Sequence, residues 1–161
     1  MPKIKFDGLD NYVEQLEKLG AGVSQDIGKA VFAGAAVVAD AVRKNIENLP
    51  VEPSRHASPE NPLRGVTRAQ KQGLLDGFGV SRIKLDGDYY NVKLGFDGYN
   101  SVKTKKYKKG QANAMIARSV NSGSSIRVKI PFVDKAVSSN LKKAEAAMAE
   151  ALDKAIQERT N

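Results

Sequence analysis

Apolar residues recur at three- and four-residue intervals in two long stretches of the chain, which predicts two long amphipathic helices. The first covers residues 23–48 and the second residues 131–158. Shorter stretches with the same period predict helices at residues 9–19, 68–76 and 111–120. At 1.5 Å per residue the first long helix is about 39 Å long. A compact domain of this size is about 40 Å across, so the two long helices are expected to span it.

Alternating apolar and polar residues predict β-strands in the second half of the chain. Residues 80–85 and 90–96 alternate at period two around Asp86 and Gly87, a pair typical of a tight hairpin turn. Residues 126–130 alternate in the same way and predict a third strand, because a two-stranded hairpin alone is marginally stable. The expected fold class is therefore α+β, an antiparallel sheet of about three or four strands packed with a long helix from the N-terminal half and a long C-terminal helix.

The whole chain, residues 1–161, is expected to form a single domain. Its N-terminal helices occupy residues 8–49, and its sheet and a basic loop occupy residues 78–130. The C-terminal helix covers residues 131–158. Between them, residues 50–66 are rich in proline and small polar residues, so we expect a flexible loop there.

Small residues make the middle of the first long helix unusually slim around Gly34. Two interpretations remain open: another element of the same domain packs closely on this face, or the face meets a neighbouring subunit. The C-terminal helix carries an apolar stripe that includes Leu141 and Met148. Such a stripe is better explained by packing than by a cofactor site.

The net charge of +8 belongs to a single segment, residues 98–133, which contains eight basic residues and no acidic one. The rest of the chain is balanced, with 18 basic and 18 acidic residues. A charge excess this localised points to an acidic partner, or to a channel that carries something acidic. The basic residues, which we take as candidate contacts to DNA or to an acidic protein, are Lys103, Lys105, Lys106, Lys108, Lys109, Arg118, Arg127 and Lys129.

Two interpretations of this basic segment are open from its residues alone. It is either a solvated, flexible loop or a surface that grips phosphates, with Tyr107 available to stack on a base. No zinc-ligand spacing and no clear helix-turn-helix pattern accompany it, so a sequence-specific DNA reader is not expected. The alternative function is therefore a stand-alone, sequence-nonspecific nucleic-acid-binding protein that uses residues 103–129.

The residue types that support catalysis are scarce in this sequence. There is no cysteine, and the single histidine, His56, lies in a polar loop. No set of acid, base and nucleophile can be assembled, so we expect no enzyme and predict no cofactor or metal site. The most apolar run, residues 30–39, is shorter than the roughly 20 residues of a membrane-spanning helix. No membrane partner is expected, and the first residues lack the apolar run of a secretory signal.

Several short motifs occur together along the chain, in a fixed order. They are GLD at residues 8–10, GLLDGF at 73–78, VKLGFDGYN at 92–100, ARSVNSG at 117–123 and IPFVDKA at 130–136. This series resembles the small neck and minor tail proteins of long-tailed bacteriophages, and the resemblance covers nearly the whole chain. The most telling combination is the turn at Gly123 followed by a strand, the Pro131–Phe132 pair and the terminal helix.

The resemblance implies a structural protein of the virion neck or tail, made in the host cytoplasm during assembly. It implies a homo-oligomeric ring that helps join head to tail, with neighbouring neck, adaptor or tail-terminator proteins as partners. Residues 103–109 would be mobile in the monomer and would become ordered against either DNA in the channel or an acidic face of the adjoining ring. The candidate structural and assembly residues are Gly34, Gly123, Pro131, Phe132, Leu141 and Met148.

Overall fold

The computed structural model describes residues 20, 22–87 and 89–160, and the helix predicted at residues 9–19 lies outside them. The described residues form four helices and four short strands, so the α+β class is confirmed. In chain order the elements are α1 (Val23–Glu47), α2 (Arg68–Gly77), β1 (Phe78–Val80), β2 (Lys84–Asp86), β3 (Tyr89–Asn91), β4 (Leu94–Phe96), α3 (Asn113–Ser122) and α4 (Phe132–Thr160). Each of these helices was predicted from its periodicity to within a few residues. None of them is long and apolar enough to cross a membrane.

The two long helices, α1 and α4, lie side by side and run antiparallel. At one end the side-chain amide of Asn45 donates a 2.8 Å hydrogen bond to the carbonyl oxygen of Phe132. At the other end Arg159 Nε donates a 2.6 Å bond to Asp26 Oδ2. The pair therefore forms the long axis of the described structure.

The slim face of α1 is covered by α4 of the same chain. A Cβ atom on Gly34 would lie 2.5 Å from Met148 Cγ and 3.2 Å from the carbonyl oxygen of Ala144. The absence of a side chain thus lets the two backbones approach closely. This corrects the interpretation of the slim face as a subunit contact, because the chain's own C-terminal helix occupies it.

The predicted hairpin forms, but as two separate two-stranded ribbons. Strands β2 and β3 pair antiparallel around a turn at Gly87, whose φ of 61° favours glycine. Strands β1 and β4 pair antiparallel beyond them, with Phe78 opposite Phe96. The four strands therefore make two small antiparallel sheets rather than one sheet of three or four strands.

The third strand predicted at residues 126–130 is wrong. The segment forms an isolated parallel bridge beside Leu63 and no regular strand. The N–H of Leu63 donates a 2.8 Å bond to the carbonyl of Ile126, and the N–H of Val128 donates a 2.8 Å bond back to the carbonyl of Leu63. Leu63 of the proline-rich loop thus binds the backbone carbonyl of Ile126 and the N–H of Val128, which would otherwise be available to pair with a neighbouring strand.

The hydrophobic core lies where α1, α2, α3, β1 and the start of α4 meet. Three phenylalanine rings pack in a row across it: the Phe78 and Phe96 centroids are 5.2 Å apart with the rings tilted, and the Phe96 and Phe132 centroids are 6.0 Å apart, edge to face. The largest fully buried side chains are Ile46, Leu74, Val42, Val66 and Val120. All four described helices therefore contribute side chains to the core, and the loops between them are anchored on it.

Residues 50–66 form a closed loop whose ends are tied together. The N–H of Val66 donates a 2.9 Å bond to the carbonyl of Pro50. Inside the loop, Glu52 Oε1 accepts bonds of 2.9 Å and 3.0 Å from the N–H groups of Arg64 and Gly65. At its exit Thr67 caps α2 in a reciprocal capping box with Gln70, three residues further on.

Candidate functional site: a basic hairpin and the cleft beside it

Residues 98–113, here called the basic hairpin, form a loop that is closed at its base. The N–H of Asn100 donates a 2.9 Å bond to the carbonyl of Gln111, and the N–H of Asn113 donates a 3.0 Å bond to the carbonyl of Gly98. The first strand-like arm leaves β4, and the second leads into α3. The hairpin is therefore attached to the folded body at both ends.

Two asparagines and a glycine shape this base. The side-chain oxygen of Asn100 accepts hydrogen bonds from the N–H groups of Val102, at 2.9 Å, and Gln111, at 3.2 Å, as asparagine does in turns. Asn113 Nδ2 donates a 2.8 Å bond to the carbonyl of Asp97. Gly110 has a φ of 101°, and a Cβ there would overlap the carbonyl oxygen of Asn100. These residues were not identified from the sequence, although an Asn or Gly at each turn was visible there.

The tip of the hairpin carries its lysines on an organised turn. The N–H of Tyr107 donates a 3.0 Å bond to Thr104 Oγ1, and the N–H of Gly110 donates a 3.1 Å bond to the carbonyl of Tyr107. Lys106 Nζ lies 5.5 Å from the centroid of the Tyr107 ring. The basic hairpin is therefore hydrogen-bonded at both its base and its tip, and the mobility of residues 103–109 in the monomer stays a prediction.

All five hairpin lysines are exposed, and within the described chain none of them has a carboxylate within 4 Å. An unpaired ammonium keeps its full charge for a partner, screened only by salt. The five charges are concentrated on seven residues. They are Lys103, Lys105, Lys106, Lys108 and Lys109.

The three remaining basic candidates do not share this environment. Arg118 is exposed on α3 and Lys129 is exposed just before α4. Arg127 is only 5% exposed and donates a hydrogen bond to the carbonyl of Gly65. Burial lowers the pKa of the Arg127 guanidinium, and the nearby charge of Glu52 opposes that shift. Arg127 is therefore corrected from a surface contact to a buried cation.

A cleft of about 420 Å³ lies between the basic hairpin, the 50–66 loop and α3. Arg127 and Glu52 line it, and Met115 and Ile126 stand exposed at its edge. The side chains of Gln70 and Gln111 also line it, and they bond to each other at 2.9 Å. The cleft thus combines apolar walls, hydrogen-bonding groups and a positive charge.

The candidate structural and assembly residues before and along α4 differ in how far they are buried. Gly123 ends α3 with a φ of 77°, and Phe132 is buried in the core beside the half-buried Pro131. Met148 packs against α1. Leu141 instead points away from the chain's own core and is 54% exposed.

No group of three or more His, Cys, Asp or Glu side chains that could hold a metal ion occurs in the described part of the chain. No curated protein and no solved structure matches the sequence. One family model does match, that of "Bacteriophage HK97-gp10, putative tail-component", over residues 10–123. The match covers more than two-thirds of the chain, including α1 to α3 and the basic hairpin. The protein therefore belongs to the HK97-gp10-like family of phage tail components.

Proposed function

We propose that this protein is a neck subunit that assembles as a homo-oligomeric ring, helps join head to tail, and presents its basic hairpins to DNA in the channel. Membership of a phage tail-component family supports a structural role in the virion. The observation that carries the finer proposal is the set of five exposed lysines on an anchored hairpin, none of which has a carboxylate within 4 Å among the described residues. The neighbouring neck, adaptor or tail-terminator proteins complete the joint.

The electrostatics of the hairpin suit transient contact with passing phosphates. Charges act over about 8 Å at physiological ionic strength, so the lysines must stand near the partner to have an effect. Because the hairpin is fixed at its base, its lysines would lose little conformational entropy on binding to such a partner. In a closed ring every copy presents the same patch, so the number of charges facing the channel rises with the number of subunits.

Lateral contacts between subunits must use surfaces other than the Gly34 face of α1. On α4, Val137 and Leu141 are both exposed and are separated by one helical turn, which brings them to the same side of the helix. We assign this apolar pair to the contact with the next subunit. Replacement of Leu141 by aspartate would then weaken assembly without unfolding the subunit, which size-exclusion chromatography with light scattering would measure.

Complementation of a phage that lacks this gene tests the role of the hairpin. The protein is supplied in trans as wild type, with all five hairpin lysines changed to glutamine, or with five exposed lysines elsewhere changed. The control lysines are Lys84, Lys93, Lys142, Lys143 and Lys154. We expect the titre to fall at least tenfold for the hairpin variant and by less than threefold for the control. Equal titres for the two variants would refute a role for the hairpin charges.

Binding to DNA by the purified protein separates the neck subunit from a stand-alone nucleic-acid-binding protein. A single hairpin touches few phosphates, so a monomer should bind a 30-base-pair duplex only weakly at physiological salt. Submicromolar binding that falls steeply with salt would instead favour the stand-alone function. Fluorescence anisotropy over a salt series measures both affinity and slope.

A further inference from the structure

Arg127 carries a charge into the protein interior and forms no ion pair with any carboxylate of the described residues. It is 5% exposed, and the one hydrogen bond that its guanidinium makes within the described chain goes to the carbonyl of Gly65. A guanidinium has five N–H donors, so most of them have no protein acceptor there. A buried charge without a paired partner is costly, and proteins normally provide one.

The nearest acidic side chain is already occupied. Glu52 Oε1 accepts bonds from two backbone N–H groups of its own loop, and Glu52 Oε2 lies 3.5 Å from Arg55 Nη2. No described carboxylate lies within 4 Å of Arg127. Among the described residues, Glu52 therefore acts on two cations, Arg55 at 3.5 Å and the more distant Arg127, and its single negative charge cannot balance both.

Arg127 forms part of the wall of the 420 Å³ cleft, so an anion can reach it from outside. This volume lies within the range of ordinary ligand pockets, about 300–1,000 Å³. Apolar side chains flank the arginine, and hydrogen-bonding groups face the same space. The lining residues that a peptide would meet are Leu63, Thr67, Gln70, Gln111, Met115 and Ile126.

We infer that the cleft binds an acidic, extended segment of a neighbouring virion protein, with an Asp or Glu carboxylate on Arg127 and apolar side chains against its walls. Guanidinium and carboxylate form strong, geometrically matched pairs. The basic hairpin forms one wall of the cleft through Val102, Thr104 and Tyr107, and the charge of its lysines attracts such a segment. A DNA duplex is a wide, rigid rod, and its phosphates cannot reach an arginine buried to this degree. The inference goes beyond the proposed function, because it holds whether the hairpin faces DNA or protein.

Fluorescence anisotropy with short peptide probes tests this site on the purified full-length chain. The probe is a fluorescein-labelled, capped hexapeptide Gly-Leu-Glu-Leu-Ser-Gly, compared with its counterpart in which glutamine replaces glutamate. We expect saturable binding of the glutamate peptide and at least tenfold weaker binding of the glutamine peptide. Arg127→Met should weaken the glutamate peptide at least tenfold. Arg118→Met, the same change at an exposed position outside the cleft, should alter its affinity less than twofold.

A second variant keeps the test valid if Arg127→Met does not fold. Met115 is 39% exposed at the edge of the cleft, so Met115→Glu should leave the fold intact by circular dichroism and still weaken the glutamate peptide at least tenfold. Equal affinity for the two peptides, or full affinity in Met115→Glu, would overturn the inference. Displacement of the peptide by a 20-base-pair duplex with an affinity that depends on Arg127 would also overturn it, in favour of a nucleic-acid site.

Discussion

The close approach of α1 and α4 predicts strong energetic coupling between Gly34 and Met148. In Gly34→Ala the new methyl group would lie 2.5 Å from Met148 Cγ and Sδ and 3.2 Å from the Ala144 carbonyl oxygen. Met148 must therefore move, and the Ala144 backbone limits how far the alanine can shift. Overpacking of this kind costs about 1–3 kcal/mol.

Helix propensity acts in the opposite direction and stabilises the Gly34→Ala variant. Alanine is better than glycine in a helix interior by about 1 kcal/mol, so Gly34→Ala should destabilise the protein by a net amount of about 1 kcal/mol. Met148→Ala removes a half-buried side chain and should cost about 1–2 kcal/mol, below the range for fully buried methionines. In the double variant the overlap with Met148 is gone, and only the tighter contact with the Ala144 carbonyl oxygen remains. The helical gain then remains, and the total cost should be about 0.5 kcal/mol.

Urea denaturation of wild type, both single variants and the double variant measures this coupling. The costs of the two single changes would sum to about 2.5 kcal/mol if they were independent, so the expected coupling energy is about 2 kcal/mol. Additivity within about 0.5 kcal/mol, the usual scatter for independent sites, would refute close packing of the two helices at Gly34.

Three further predictions concern the loops and the end of the α1–α4 pair. Thr67→Ala removes the capping box of α2 and should cost about 1 kcal/mol of unfolding free energy in urea. Gly110→Ala forces a methyl group into the Asn100 carbonyl at a positive φ, so the base of the basic hairpin should open and trypsin should cleave its lysines several times faster. The Asp26 pKa is lowered from 3.8 by the hydrogen bond and the charge of Arg159, against the effect of burial. Its contribution is therefore present above pH 4 and is lost as the pH falls through the lowered value. Asp26→Asn should be destabilised at pH 7 and should approach wild type below pH 3.

Each of these has an internal control. The control for Thr67→Ala is Ser139→Ala, at an exposed α4 position away from any cap. It should leave the free energy of unfolding within about 0.5 kcal/mol of wild type. Tryptic cleavage after Lys142 and Lys143, on α4, should not accelerate in Gly110→Ala. A pH-independent difference between wild type and Asp26→Asn would contradict the ion pair.

The long helices could be predicted from the sequence because their periodicity runs over many turns and their ends carry glycine or proline. The Asp86–Gly87 turn likewise marked the hairpin correctly. Residues 126–130 alternate as a strand would. Whether they pair with a sheet depends on Leu63, a residue distant in sequence that hydrogen-bonds to their backbone instead.

Arg127 shows most clearly where local pattern is insufficient. Alternation predicts that Ile126 and Val128 face inward and Arg127 outward. In the structure the two apolar side chains are 43% and 41% exposed, and the arginine is buried against the carbonyl of Gly65. The proline-rich loop offers that acceptor, and no pattern within residues 126–130 records it. The cleft could not be predicted for the same reason, because it is formed by segments that are distant in sequence.

The central claim, a role in joining heads to tails, is tested most directly by electron microscopy of lysates from a phage that lacks this gene. The account predicts DNA-filled heads and finished tails lying unjoined, and joined particles when the wild-type protein is supplied in trans. Normal, infectious particles in the absence of the gene would contradict it.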